Sequence, residues 1–114
     1  AMGEKGGARV NRADVLIVLS RHIGRANGIG ARACSAELGC SERELRKAIS
    51  DLILDEGKHI AGTPRSGYYM AATEEELIET IDWHTRRAKH ELAKASALSK
   101  HPLREIAGQL KLPT

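Results

Sequence analysis

The stretch SERELRKAIS, residues 41–50, holds the side chains best equipped to do chemistry. Arg43, Arg46 and Lys47 stand three and four positions apart, so on a helix they share one flank. Guanidinium and ammonium groups presented in this way pair with guanine edges or phosphate oxygens, and Glu42 can accept from the amino group of cytosine. Ser41 opens the stretch, and its hydroxyl with the amides of a helix start suits a phosphate. Ser50 completes the outward set. A second group lies at residues 58–66, where Lys58, Arg65 and Ser66 flank a turn containing Pro64, with His59 and Thr63 beside them. An arginine at a turn tip can enter a minor groove or rest on phosphate. Arg32, and less directly Arg21, would add backbone contacts. The plain alternative is that these charges form the solvated side of an amphipathic helix and an ordinary soluble turn.

Other chemistries find little in the chain. Cys34 and Cys40 are separated by five residues, no histidine pair completes a zinc pattern, and no CxxC spacing exists. His84 and His90 are six apart and fall on different faces of one helix. No metal and no cofactor is therefore expected, and the cysteines read as small core or turn residues. The sequence has no glycine-rich phosphate loop, nucleophile elbow or HExxH. No catalytic residue is assigned, and the expectation is a protein that is not an enzyme. Single-stranded nucleic acid asks for aromatic stacking platforms, and only Tyr68, Tyr69 and Trp83 are available.

The elements that must position the cationic groups follow from periodicity and punctuation. With 114 residues the chain suits one domain with an appended helix. Phe is absent and aromatics are 3%, so the core must come from Leu, Ile, Val and Ala, which favours helices. Residues 1–8 are Gly-rich and read as a disordered N-terminus, in part the remnant of an expression tag. Asn11 caps a first helix, ADVLIVLSRHI, whose run Val15–Leu19 with Ile23 is expected to be largely buried; Gly24 stops it, and GRANGIG reads as a loop. A short helix over 31–38 turns Ala33, Cys34 and Leu38 inward and ends at Gly39. Ser41 and Glu44 form a capping box, and Leu45, Ala48, Ile49, Leu52 and Ile53 make the apolar face of a helix that Gly57 ends. Residues 58–61 and 67–71 read as short strands around the turn 62–66, with Gly67 allowing a close approach of the returning strand. Tyr68 and Tyr69 point to opposite faces, with the buried one left open.

Thr73 and Glu76 form a second capping box, opening a long helix from Glu74 to Leu98. Leu77, Ile81, Ala88, Leu92 and Ala95 lie on one stripe of it, with Ile78 and Thr85 alongside and Trp83 as an anchor. The stripe either packs on the preceding domain (residues 9–72) or pairs with a second copy as a dimer helix over 73–98. Residues 99–114 form a tail in which Pro102 breaks the helix and Leu103–Leu110 make a final turn or two. Residues 1–72 hold eleven Lys and Arg against eight Asp and Glu, whereas 73–114 hold seven of each. The excess +3 thus falls in the half that carries the candidate contacts, which agrees with a polyanionic partner. No signal peptide or membrane-length apolar run is seen, so the expected setting is the cytoplasm with reduced thiols.

The segment SERELRKAISDLILDEGKHIAGTPRSGYYMA resembles the winged helix-turn-helix regulators typified by the N-terminal domain of the biotin-operon repressor, and is similar to small winged-helix proteins of phages and prophages. The shared pattern is Ser41, Arg46, Ala48–Ile49, Asp51, Leu54, Glu56–Gly57 and Gly67–Ala71; the phage group also shares Glu74–Glu76 and the Arg87–Ala88 step. The resemblance covers about residues 12–98. It departs at His59-Ile60-Ala61-Gly62-Thr63-Pro64, where the family has a bulky residue before the proline, and regulation by a bound metabolite is not expected to carry over, since these 114 residues show no second, effector-binding domain. The resemblance implies a mainly α fold with a small β-hairpin, a winged helix-turn-helix followed by one long C-terminal helix. It also implies sequence-specific binding of double-stranded DNA by a transcriptional or phage-type regulator. A phage replication or packaging factor would use the same surface. The competing class is a protein-interaction module working through the winged-helix scaffold and the long helix.

Overall fold

The computed structural model describes residues 10–100. The expectations for residues 1–8, for Pro102 and for Leu103–Leu110 lie outside the described residues. The fold is mainly α-helical, with one small hairpin and a long last helix. Helix α1 spans Arg12–Leu19, α2 Ala31–Leu38, α3 Glu42–Glu56 and α4 Glu74–Ser99; strands β1 (Ile60–Thr63) and β2 (Gly67–Met70) lie between α3 and α4. The chain divides into two units, one running to Thr80 and the other starting at Ile81.

Local chemistry sets the helix boundaries. Asn11 Oδ1 accepts from the Ala13 amide at 2.7 Å and starts α1. At α3 the Ser41 hydroxyl accepts from the Glu44 amide at 3.0 Å, while the Glu44 carboxylate accepts from the Ser41 amide at 2.8 Å. Both halves of the capping box are present, and these bonds hold the Glu44 carboxyl below its ordinary value. Gly39, at φ 70° in the left-handed region, ends α2 and makes the tight turn into α3.

The core is built from α1 (Val15, Val18, Leu19), α2 (Cys34), α3 (Leu45, Ala48, Ile49, Leu52) and β1 (Ile60). Tyr69 is 1% exposed and is the largest of the fully buried side chains; Tyr68 is only half-buried. Alternation along β2 turns Tyr68 and Met70 toward this cluster and Tyr69 to the opposite face of the hairpin, where it is buried beside Arg25.

Three local expectations are corrected. Helix α1 ends at Leu19 rather than continuing through Ile23, because residues 22–24 leave it to pair with β2; Ile17 and Ile23 are exposed rather than buried. On α2 the inward residue beside Cys34 is Ser35, whose hydroxyl donates to the Arg32 carbonyl at 3.0 Å, while Ala33 faces solvent. Gly62 and Thr63 belong to β1 rather than to the turn, in the register Ile60↔Met70 to Thr63↔Gly67.

The loop GRANGIG does more than connect α1 to α2. It carries a single 3-10 turn, Arg25–Asn27, and both its ends pair with β2. The Ile29 and Tyr68 amides each donate to the other residue's carbonyl at 2.8 Å, the Met70 amide donates to the His22 carbonyl at 2.8 Å, and the Gly24 amide to the Met70 carbonyl at 2.9 Å. Strand β2 is therefore bonded on both sides. Gly67 makes this possible: its φ is +77°, and a Cβ there would stand 2.7 Å from the Ile29 carbonyl.

The first turns of α4 are fixed to the hairpin and to this loop. Thr80, 5% exposed, accepts from the Gly62 amide of β1 at 3.0 Å. Glu76 accepts from the Arg25 and Ala72 amides, each at 2.8 Å, and Arg25 Nε donates to Glu79 at 2.9 Å. Among the described residues no helix is long and apolar enough to cross a membrane.

Candidate functional site

Helix α3 buries one face and leaves Arg43, Arg46, Lys47 and Ser50 exposed on the other, with Glu42 half-buried at its start. Its cations are confined to one end, where Glu42 and Glu44 stand among them. The cations occupy the N-terminal half, and Asp51, Asp55 and Glu56 the C-terminal half. Acids in a last turn oppose the helix dipole and would repel a polyanion. Arg12, from the first turn of α1, offsets them: its guanidinium lies 2.9 Å from Asp55, 3.1 Å from Glu56 and 3.5 Å from Asp51. Lys47 reaches Asp51 at 3.1 Å, and its ammonium is the main reason the Asp51 carboxyl lies below its usual range.

Arg46 has two polar neighbours. Glu42, one turn back, accepts from it at 3.1 Å. Tyr68 of β2 lies near it: burial pushes the Tyr68 hydroxyl up, and the Arg46 guanidinium opposes the shift. Tyr68, half-buried against the core cluster, joins the candidate residues. Strand alternation separated the two tyrosines onto opposite faces; it did not show that Tyr68 would lie against the core cluster and near Arg46.

The remaining candidates sit as follows. Arg43 is exposed and, among the described residues, has no ion-pair partner; the same holds for Arg32 at the start of α2, Lys58 after α3 and Arg65 at the hairpin tip. The Ser41 hydroxyl spends its acceptor on the cap. Ser66 is committed to the turn: its hydroxyl accepts from the Thr63 amide and donates to the Gly67 carbonyl, both at 3.0 Å, so it shapes the tip rather than projecting from it. Arg21 pairs with Glu37 and ties α1 to α2. Arg65 opens onto a cavity of about 530 Å³ that Arg25, Thr63, Glu76 and Glu79 also line. Cys34 is fully buried, and burial is the main cause of its thiol being pushed up to about 11, which fits a packing role.

The long helix contributes differently. Leu77 is half-buried and Thr80 buried, whereas Ile81, Ala88, Leu92 and Ala95 are exposed. Trp83 is half-buried; the Arg87 guanidinium rests over its ring at 4.8 Å, and His84 meets it edge-on. Comparison with protein-family models, with curated proteins and with solved structures finds no match to this chain.

Proposed function

We propose that this chain binds double-stranded DNA sequence-specifically through the N-terminal half of α3, as a winged helix-turn-helix protein acting in transcriptional or phage-type regulation. The observation that carries the reading is the placement of the α3 cations: Arg43, Arg46 and Lys47 lie exposed toward its N-terminal end, and the acids of its other end are held by Arg12. Recognition helices present their N-terminal residues to base edges in the major groove. The order of α1, α2, the turn at Gly39, α3 and a two-strand hairpin is compatible with that architecture. The Glu42–Arg46 and Lys47–Asp51 pairs are exposed i,i+4 contacts, which are worth little, so these cations can exchange a carboxylate for a base edge or phosphate. Arg32 and Lys58 supply backbone contacts, and Arg65 serves the hairpin tip.

The test is selection of bound duplexes from a random pool, followed by titration of the winning duplex at rising salt. Affinity should fall steeply, with a logarithmic slope of about −0.9 per phosphate neutralised. Arg43→Ala and Arg46→Ala should each cost about 1–3 kcal/mol if the side chain reads a base. Unchanged affinity in both variants would remove α3 from the interface. A second reading, a protein-interaction module, draws on the exposed apolar residues of α4; such a contact would barely respond to salt.

A further inference from the structure

We propose that the cavity between the hairpin tip and the start of α4 binds a small zwitterion, a molecule of the amino-acid class with one carboxylate and one ammonium group. The cavity has a volume of about 530 Å³, within the range of small-molecule sites, and its walls all belong to the unit that runs to Thr80. Three segments form them: the loop at Arg25, the hairpin tip at Arg65, and the first turns of α4 at Glu76 and Glu79. These segments are fixed to one another. Gly28 lies so close to the Ser66 carbonyl that no Cβ fits between them. The Gly62 amide donates to the Thr80 hydroxyl at 3.0 Å, and Glu76 takes the amides of Arg25 and Ala72 at 2.8 Å each. The cavity is thus preformed, and a ligand entering it need not order its walls.

The lining decides the class of ligand. Among the described residues Ala26 is its one apolar side chain and no aromatic ring lines it, so an apolar molecule finds little to pack on. Four charged groups remain, two of each sign. Arg25 is already answered, since its Nε donates to Glu79 Oε1 at 2.9 Å. Glu76 spends both oxygens on backbone amides. Arg65 has no ion-pair partner among the described residues, although two carboxylates line the same cavity. Glu79 keeps Oε2 open, because the contact to Arg25 uses Oε1. One unanswered cation therefore stands on the hairpin wall and one unanswered carboxylate oxygen on the helix wall. A simple anion drawn to Arg65 would meet the two glutamates, and a simple cation drawn to Glu79 would meet the two arginines. A zwitterion with its carboxylate toward Arg65 and its ammonium toward Glu79 avoids both repulsions and gains two charge-assisted hydrogen bonds. It would also take up the guanidinium that the DNA reading places at the hairpin tip, and so compete with that contact; its binding does not rest on that reading.

Nuclear magnetic resonance titration of the full chain, without DNA, tests the site. The probes are glycine, β-alanine, γ-aminobutyrate and ε-aminocaproate, zwitterions that differ in the separation of their two charges. At least one should saturate at millimolar concentration and move the backbone amides of Gly28, Arg65, Ser66 and Glu79. The carboxylic acid and the amine of the same chain length, offered singly, should each bind about tenfold more weakly. Arg65→Gln and Glu79→Gln should each weaken the zwitterion by about tenfold as well. Arg65 is exposed, and a glutamine at position 79 keeps an acceptor for Arg25, so amide signals away from the cavity should stay in place in both variants. A series in which no member moves the cavity amides overturns the proposal. So does a lone acid that binds as tightly as its amino acid, which would make this a site for anions, or binding that neither substitution weakens. No arm contains DNA, so failure here is separable from failure of α3 to bind it.

Discussion

Gly67 answers two demands at once, a left-handed backbone and a carbonyl where a side chain would stand. Gly39 answers only the first, since a Cβ there meets nothing within 4 Å. Gly39→Ala should therefore cost about 1–2 kcal/mol, the penalty of the left-handed region alone. Gly67→Ala should cost about 1–3 kcal/mol beyond that, because the strand pairing with Ile29 must give way. Urea unfolding of the two variants checks this; equal losses would mean that the Ile29 contact contributes nothing. At this scale the sequence showed residue types but not partners. The cations of α3 were visible from their spacing. The role of Arg12 was not, because its three carboxylates lie about forty residues away and no local pattern links them. The approach of Tyr68 to Arg46 was hidden because no local pattern links a strand residue to a helix flank.

Local capping and periodicity made α2, α3 and α4 legible to within a residue or so, since Gly39, Ser41, Glu44 and Glu74 act through their immediate neighbours. The end of α1 and the first half of the hairpin were not, because β2 competes for them through long-range backbone bonds. The start of α4 mixes the two cases. The Thr73 hydroxyl accepts from the Glu76 amide at 3.2 Å, as a capping motif requires, but the Glu76 carboxylate bridges the Ala72 and Arg25 amides and so joins the helix to the loop after α1. The Arg25 amide, followed by that of Ala72, holds the Glu76 carboxyl below its ordinary value. A carboxyl lowered in the folded state stabilises the fold above its unfolded pKa, and that stability is lost as pH falls through the folded one. Glu44 and Asp51 are lowered as well and act in the same direction. Unfolding stability should therefore decline below the ordinary carboxylate range. Glu76→Gln should make the decline shallower, as pH-dependent denaturation would show; an unchanged slope would leave Glu76 without a share in it.

For the molecule as a whole, binding of DNA by a twofold dimer requires the selected site to be an inverted repeat, with two chains bound per duplex. Analytical ultracentrifugation of the saturated complex reads the stoichiometry directly, and a single chain on a non-repeating site would contradict a symmetric assembly. The sequence indicated which face of α4 is apolar. It left open whether that face packs inward; within the unit that runs to Thr80, Leu77 is half-buried and Thr80 buried. The arrangement of the hairpin bears on solubility. Strand β2 is flanked on both sides, and the Gly62 amide of β1 is taken by the Thr80 hydroxyl. Little of the usual template for edge-to-edge growth remains exposed, so this small sheet is guarded against recruiting strands from neighbouring molecules as concentration rises.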